Sequence, residues 1–226
     1  TFVSQFASRP LFLQVVARDQ LDNAYPELAW YVPTLENGGA FFVGSGDERH
    51  LVVRFKLRRG VLWSDGTEVT SRDVLYHHRL MLDARAPVAS QGRMAHLKLQ
   101  SVEAPDAYTV LIRYLSYPQA AALLNDPVNS RKYGALKTYV DEKRPVTDTS
   151  YNLLLGALPE HVLGKLSPDR IASSQFATQP VVNGPYMVEN TGWRTENSLV
   201  LVPNPRYSLT APPILRRVTI RVVADA

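Results

Sequence analysis

The sequence contains no cysteine, which excludes a disulfide framework, a thiolate nucleophile and a Cys-based zinc site, and leaves the redox compartment open on that ground. It has no run of about 18 apolar residues, the length a helix needs to cross a bilayer, so no segment reads as a membrane span. A charged stretch followed by an apolar core is missing at Thr1, so any export signal or lipid-anchor segment is expected to have been removed or to lie upstream. Charge of one sign is missing too, since 25 basic residues stand against 21 acidic ones for a net +4. The densest basic runs, Arg54-Lys56-Arg58-Arg59 and Arg216-Arg217, are short. A nucleic-acid surface gathers basic residues on one stripe with aromatics to stack on bases. These runs read instead as solvated strand faces, and no nucleic-acid partner is expected.

Catalytic hardware is equally scarce. There is no G-x-S-x-G elbow, H-E-x-x-H, G-x-x-x-x-G-K-[ST] or G-x-G-x-x-G, so hydrolase, zincin, P-loop and dinucleotide readings lack their nucleophile or phosphate cradle. The histidines are scattered at His50, His77, His78, His96 and His161. Neighbours on a helix point about 100° apart, so one metal ion does not readily take both His77 and His78. His78 reads as a structural histidine, and no metal or other cofactor is expected. Asp65 and Asp73 are the carboxylates a glycoside hydrolase would pair. Asp65 precedes Gly66 in a turn and Asp73 stands at the third position of a helix, so each reads as structural.

What is present is the composition of a folding chain: 45% hydrophobic and 20% charged, near the averages for globular domains. Residues 51–57 alternate Leu51, Val53, Phe55 and Leu57 with Val52, Arg54 and Lys56, the period of a half-buried strand. Ser64-Asp65-Gly66-Thr67 predicts a tight turn. Thr70-Ser71-Arg72-Asp73 predicts a capping box that opens a helix over 71–82, with Val74, Leu75, His78, Met81 and Leu82 on its core face. A strand over 108–115 follows the turn-like Ala104-Pro105-Asp106 and is expected to pair near the first. Short helices are expected over 118–124, from Pro159 and over 168–171. Residues 125–150 show no period. Asn183-Gly184-Pro185-Tyr186 marks a bend, and strands are expected over 199–202 and 217–223. Strands and helices mix without a regular βαβ beat, which predicts an α/β chain with a mixed sheet and α+β character. Both ends read like the inside of an element and suggest a fragment.

One segment is more specific than its physics. Phe55-Lys56-Leu57-Arg58-Arg59-Gly60-Val61-Leu62-Trp63-Ser64-Asp65-Gly66-Thr67-Glu68-Val69-Thr70-Ser71-Arg72-Asp73-Val74 resembles the phrase F-x-L-R-x-G-V-x-F/W-S-D-G-x-P-V-T-A-x-D-V of the family 5 bacterial extracellular solute-binding proteins. It departs from the phrase at Glu68, where proline is usual, and at Ser71, where alanine is. Tyr25-Pro26-Glu27-Leu28-Ala29 resembles the family's P-x-L-A, and Val102-Glu103-Ala104-Pro105-Asp106-Ala107-Tyr108-Thr109-Val110 its V-x-A-x-D-x-Y-T-V. Leu158-Pro159-Glu160-His161 resembles I-L-P-x-H, Asn183-Gly184-Pro185-Tyr186 resembles G-T-G-P-Y, and Asn204-Pro205-Arg206-Tyr207 resembles N-x-x-Y. These phrases occur in the family's order along nearly the whole chain.

The resemblance implies a periplasmic-binding-protein-like type II fold, with lobe I present and the second lobe absent. It implies a hinge-side subdomain of residues 1–36 plus 178–226 and an outer subdomain of residues 37–177. It implies no enzyme activity, but an extracytoplasmic, monomeric solute-binding component, membrane-anchored at full length, that closes its lobes on a peptide or similar small solute and delivers it to an ABC permease. Candidate ligand-contacting residues are Asn183, Gly184 and Tyr186 at the bend, and Arg93 and Met94 in a loop with Gln91 and Gly92. Trp63 and Trp193 are expected to pack in the core or between lobes. Nickel-binding members hold the chelate with an arginine shortly before the I-x-P phrase. Leu153-Leu154-Leu155-Gly156-Ala157 has none, which lowers that reading. A sugar or metal-chelate binder of the same family, and a cleft enzyme such as a carboxylate-dependent glycoside hydrolase, are the competing readings.

Overall fold

In the computed structural model the described residues are 8–86, 88, 90–127, 130–147, 155–189 and 198–221; Trp193 lies outside them. Two short strands, β1 (Val16–Arg18) and β2 (Ala24–Pro26), form an antiparallel ribbon. The main sheet is antiparallel in the order β3-β4-β6-β5, built from β3 (Ala40–Val43), β4 (His50–Lys56), β5 (Leu99–Asp106) and β6 (Thr109–Tyr114). The 51–57 and 108–115 strands pair as expected, with Val53 opposite Ile112 and Phe55 opposite Val110. The alternation holds on one face, where Leu51, Val53, Phe55 and Leu57 are buried. Val52 is buried as well, so the wet face begins only at Arg54. A third antiparallel sheet joins β7 (Tyr186–Val188), β8 (Ser198–Pro203) and β9 (Val218–Arg221).

Helix α1 (Ser71–Leu82) opens on the capping box read from the sequence, Thr70 and Asp73 exchanging bonds with each other's backbone N–H. It packs on β5 and β6 with Val74 and His78 buried. Leu82, expected on that face, is 38% exposed while Leu80 is buried, because the last turn runs past the packed face before Asp83 caps it. The segment read as a loop at Gln91–Met94 is helical, as α2 (Ser90–His96). The proline-started helix is α3 (Tyr117–Asn125), with a second capping box between Ser116 and Gln119. The aperiodic stretch contains α4 (Lys137–Asp141), and Pro159 caps α5 (Glu160–Leu163). Residues 104–106 are not a turn but the end of β5, which reaches its pairing with β6 through register shifts between Leu99 and Ser101 and between Glu103 and Asp106. Such irregularities let a proline sit in a strand.

The basic strand faces are more anchored than the sequence reading allowed. Arg58 lies 4.9 Å over the Trp30 ring and Arg59 lies 4.6 Å over Tyr108, while Arg58 Nε also donates to the carbonyls of Glu27 and Ala29. Long cationic stems cover aromatic surface while their heads find acceptors.

The larger core joins Leu13, Val15, Val16 and Leu28 to the main sheet's Val53, Phe55, Val110 and Ile112 and includes the fully buried Trp63. A smaller one under the third sheet contains Leu11, Val182, Val188, Leu199 and Leu201, and Phe12 packs against both. Between them, the turn Ser64-Asp65-Gly66-Thr67 forms as read: Gly66 takes φ +93° and Asp65 Oδ1 accepts from Thr67 N. A Cβ at Gly66 would meet nothing nearer than Arg206 Cζ at 3.9 Å. Gly66→Ala is therefore expected to cost only the strain of a left-handed backbone, about 1–2 kcal/mol, read as a shift in urea midpoint with unchanged slope.

Candidate functional site

A concavity of about 380 Å³ opens where three pieces of chain meet, within the rough 300–1,000 Å³ span of small-molecule sites. One wall is the segment 8–14, contributing Ser8, Arg9, Phe12, Leu13 and Gln14; the floor is α1, with His77 and Met81; Val88 and the segment Gly156, Ala157 and Leu158 complete it. The walls are mostly apolar, with a few polar groups converging.

Backbone pairing brings the distant pieces together. Gln14 and Gly156 form an antiparallel bridge, Val15 N donates to Leu155 O at 2.9 Å, and Leu158 N donates to Asp73 O at 3.2 Å. Glu27 then fixes the first wall, accepting from Gln14 N at 2.7 Å and from the Arg9 guanidinium at 3.3 Å. Arg9 also donates to Tyr25 Oη at 3.1 Å, so its charge at the rim is offset by a carboxylate and its position is held.

The bend residues stand behind this wall. Asn183 is wholly buried, and its Oδ1 accepts from Leu13 N at 2.9 Å. Gly184 N donates to Leu11 O at 2.8 Å and Tyr186 N donates to Pro10 O at 3.0 Å. The Tyr186 hydroxyl donates to Leu215 O at 3.3 Å. On the other side Arg93 donates to the carbonyls of Asp83 and Ala86, at 2.9 and 3.2 Å, tying α2 to the turn that leads into Val88. Met94 is exposed. The structure thus places Asn183, Gly184, Tyr186 and Arg93 on the backbone that carries the concavity, while Arg9, Phe12, His77 and Gly156 form its surface. The latter had no signal in the sequence, because residues 9, 77 and 156 are joined only by the chain's path.

His77 and His78, adjacent on α1, both reach the His96 ring, at 5.4 and 5.2 Å between centroids. His78 turns inward, its Nδ1 2.9 Å from His96 Nδ1, and the His77 ring meets His96 edge-on. Burial first, then His96 and His78, push the His77 imidazole down to about 3; burial, then His96 and Arg79, push His78 down to about 4. An unfolded chain takes up protons on these rings below about pH 6.5 and the folded one refuses them. The stability they contribute is therefore complete above that pH and is lost progressively as pH falls toward about 4 and then 3. On urea unfolding at pH 5 these two rings are expected to take up about two protons between them, and His77→Gln to remove about one from the total uptake.

The two candidate carboxylates are both committed. Asp73 accepts from Thr70 N at 2.8 Å, Glu160 N at 3.0 Å and Trp63 Nε1 at 3.4 Å. Burial raises its pKa, with those bonds opposing. Asp65 accepts from Thr67 N and lies 2.6 Å from His161 Nε2; burial alone would raise it, but these bonds hold it below the ordinary value. Neither is free for paired acid–base work. Among the described residues, no group of three or more His, Asp or Glu is placed to hold a metal ion.

An open, largely apolar concavity is thus carried on an antiparallel mixed α/β scaffold whose fold is that of part of one lobe of a larger two-lobed protein. The chain belongs to the bacterial extracellular solute-binding proteins, family 5 Middle, whose pattern matches residues 45–226. It is similar to protein XP55 of Streptomyces lividans, 26% identical over 95% of this chain and 31% of the relative. It is also similar to the oligopeptide-binding protein OppA of Lactococcus lactis subsp. lactis, 27% identical over 83% of this chain and 32% of that protein. The chain thus spans about a third of the length of these relatives. The fold matches the oligopeptide-binding protein AppA of Bacillus subtilis, solved with a nonapeptide, at a TM-score of 0.66 and 20% identity, covering 97% of this chain and 35% of that one. The family comprises extracellular solute-binding proteins, and no helix among the described residues is long and apolar enough to cross a membrane.

Proposed function

We propose that the chain is the solute-holding lobe of the binding component of an ABC importer, taking a peptide-like solute that a second lobe closes over. The concavity formed by segments 8–14 and 156–158 over α1 carries this reading: it is open on one side, apolar, and edged by a few fixed polar groups, as a half-cleft completed by a partner lobe must be. The peptide preference rests on the oligopeptide-binding relatives. The residues named from the sequence act in it as support, Asn183, Gly184 and Tyr186 holding the 8–14 wall and Arg93 the approach to Val88. Met94, exposed on α2, is the one that could meet solute directly. The division into a hinge-side part, residues 1–36 and 178–226, and an outer part, residues 37–177, is proposed with it, supported by the separate small core under the third sheet. The chain works as a monomer, anchored at the cell surface and read by the permease in its closed form.

The test is a thermal-shift panel on the full-length protein, using di- to pentapeptides, oligosaccharides and metal chelates. Solute at a hundredfold excess over Kd is expected to stabilise by about 2.7 kcal/mol. A shift with peptides alone supports the proposal; a shift only with sugars or chelates replaces the peptide with that class, and no shift with any overturns the binding role.

A further inference from the structure

His77 is the polar group on the concavity floor that the protein itself leaves unused. Its Nδ1 is buried and has no hydrogen-bond partner. Its other ring edge looks toward Gly156, where a Cβ would stand 3.7 Å from Nε2 and 3.9 Å from both flanking ring carbons. Residue 156 lines the same concavity as His77, so any side chain there would stand against Nε2. The backbone at Gly156 is not in the left-handed region, so its conformation does not demand glycine.

Resting on the solute-binding reading above, we propose that the Nε2–H of His77 is the donor that recognises a carbonyl or carboxylate oxygen of the solute, so that this point of the site takes an oxygen acceptor among apolar groups and not an ammonium. The tautomer follows from burial. A neutral imidazole carries one proton, and on Nδ1 it would be an orphaned buried donor, a rarer and costlier defect than an under-used acceptor. On Nε2 it faces the open concavity. The ring stays neutral because burial and its two histidine neighbours disfavour a second proton. It therefore offers a donor without a charge, and the nearby Arg9 is already offset by Glu27. Phe12, Leu13, Met81 and Val88 surround the donor with apolar surface, where a hydrogen bond is strengthened by exclusion of water.

The test follows the side-chain ¹⁵N resonances of the histidines in the full-length protein, titrated with N-acetyl-leucine, N-acetyl-leucine methylamide and isoamylamine, with tri-leucine affinity measured in parallel by calorimetry. The expected result is an Nε2–H tautomer for His77 that shifts with the first two probes and not with the amine; the stronger response tells carboxylate from carbonyl. His77→Leu should raise the tri-leucine Kd about five- to tenfold, as for one neutral hydrogen bond, and His77→Gln, which keeps a donor near the Nε2 position, should recover most of it. Gly156→Val should cover Nε2 and abolish the response with His77 intact. Probe shifts at His77 without tri-leucine binding would retain the inference while removing the peptide reading. An Nδ1–H tautomer, absence of any shift at His77, or tri-leucine binding that His77→Leu and Gly156→Val leave unchanged overturns it.

Discussion

Gly184→Ala is expected to lower stability by about 3 kcal/mol and to weaken solute binding at the same time. The Cβ would lie 2.5 Å from Pro10 O, 2.7 Å from Leu11 C and 2.8 Å from Leu11 O. All three atoms are backbone, so no side chain can swing away. The clash falls on the pairing that holds the 8–14 wall, Gly184 N to Leu11 O and Tyr186 N to Pro10 O. Asn204 Nδ2, donating to Gly184 O at 2.9 Å, blocks retreat in the other direction. Urea unfolding measures the first effect and calorimetry with tri-leucine the second. Gly156→Ala is the internal control: with no contact inside 3.7 Å, its loss of stability should stay near that of an ordinary surface change, within about 0.5 kcal/mol. Equal losses at the two glycines would contradict the close-approach account.

Asp73→Ala is expected to cost about 4 kcal/mol, because each buried donor left without its acceptor costs about 1–3 kcal/mol and this carboxylate serves three. Asp73 is only 4% exposed and Trp63 not at all. One carboxylate caps α1 through Thr70 N, holds the start of α5 through Glu160 N, and satisfies the indole of Trp63. It therefore ties the turn, the helix and the 156–158 wall to one point. Asp73→Asn keeps the shape but presents an NH₂ to backbone donors, so its loss should fall between wild type and alanine, at about 2 kcal/mol. Urea midpoints of the three proteins at pH 7 give the order. Because burial raises the Asp73 pKa, the folded state binds its proton more readily than the unfolded one. Its contribution thus runs opposite to that of His77, His78 and the carboxylates held below their ordinary values, such as Asp65, all of which favour unfolding as pH falls.

The phrase from Phe55 to Val74 was legible because its physics is local. Thr70 and Asp73 meet across three residues, Asp65 bonds the N–H two residues on, and Gly66 takes a backbone that other residues resist. The strand at 50–56 was legible because Leu51, Val53 and Phe55 recur at every second position and all face the core. The strand at 99–106 was obscured, since Pro105 reads as a turn and only pairing with β6, through its register shifts, keeps it extended. Helix α2 was hidden by Gly92 and by the lack of an apolar period in so short a segment. Arg93 was read as a candidate ligand contact in a loop, and its commitment to the Asp83 and Ala86 carbonyls depends on how α2 lies against the end of α1.

By itself the sequence determined the family, the mixed α/β class, the turn and cap that open α1, and the need for a bend at Asn183-Gly184, because each rests on residues close in the chain. Only the tertiary structure decided what those residues serve. Asp73 reaches from its cap to Trp63 and Glu160, Asn183 reaches across the fold to Leu13, and Gly156 leaves open the ring edge of His77. The physical reason is that a hydrogen bond or a gap between distant residues exists only once backbone pairing has brought them together, and no local spacing encodes it.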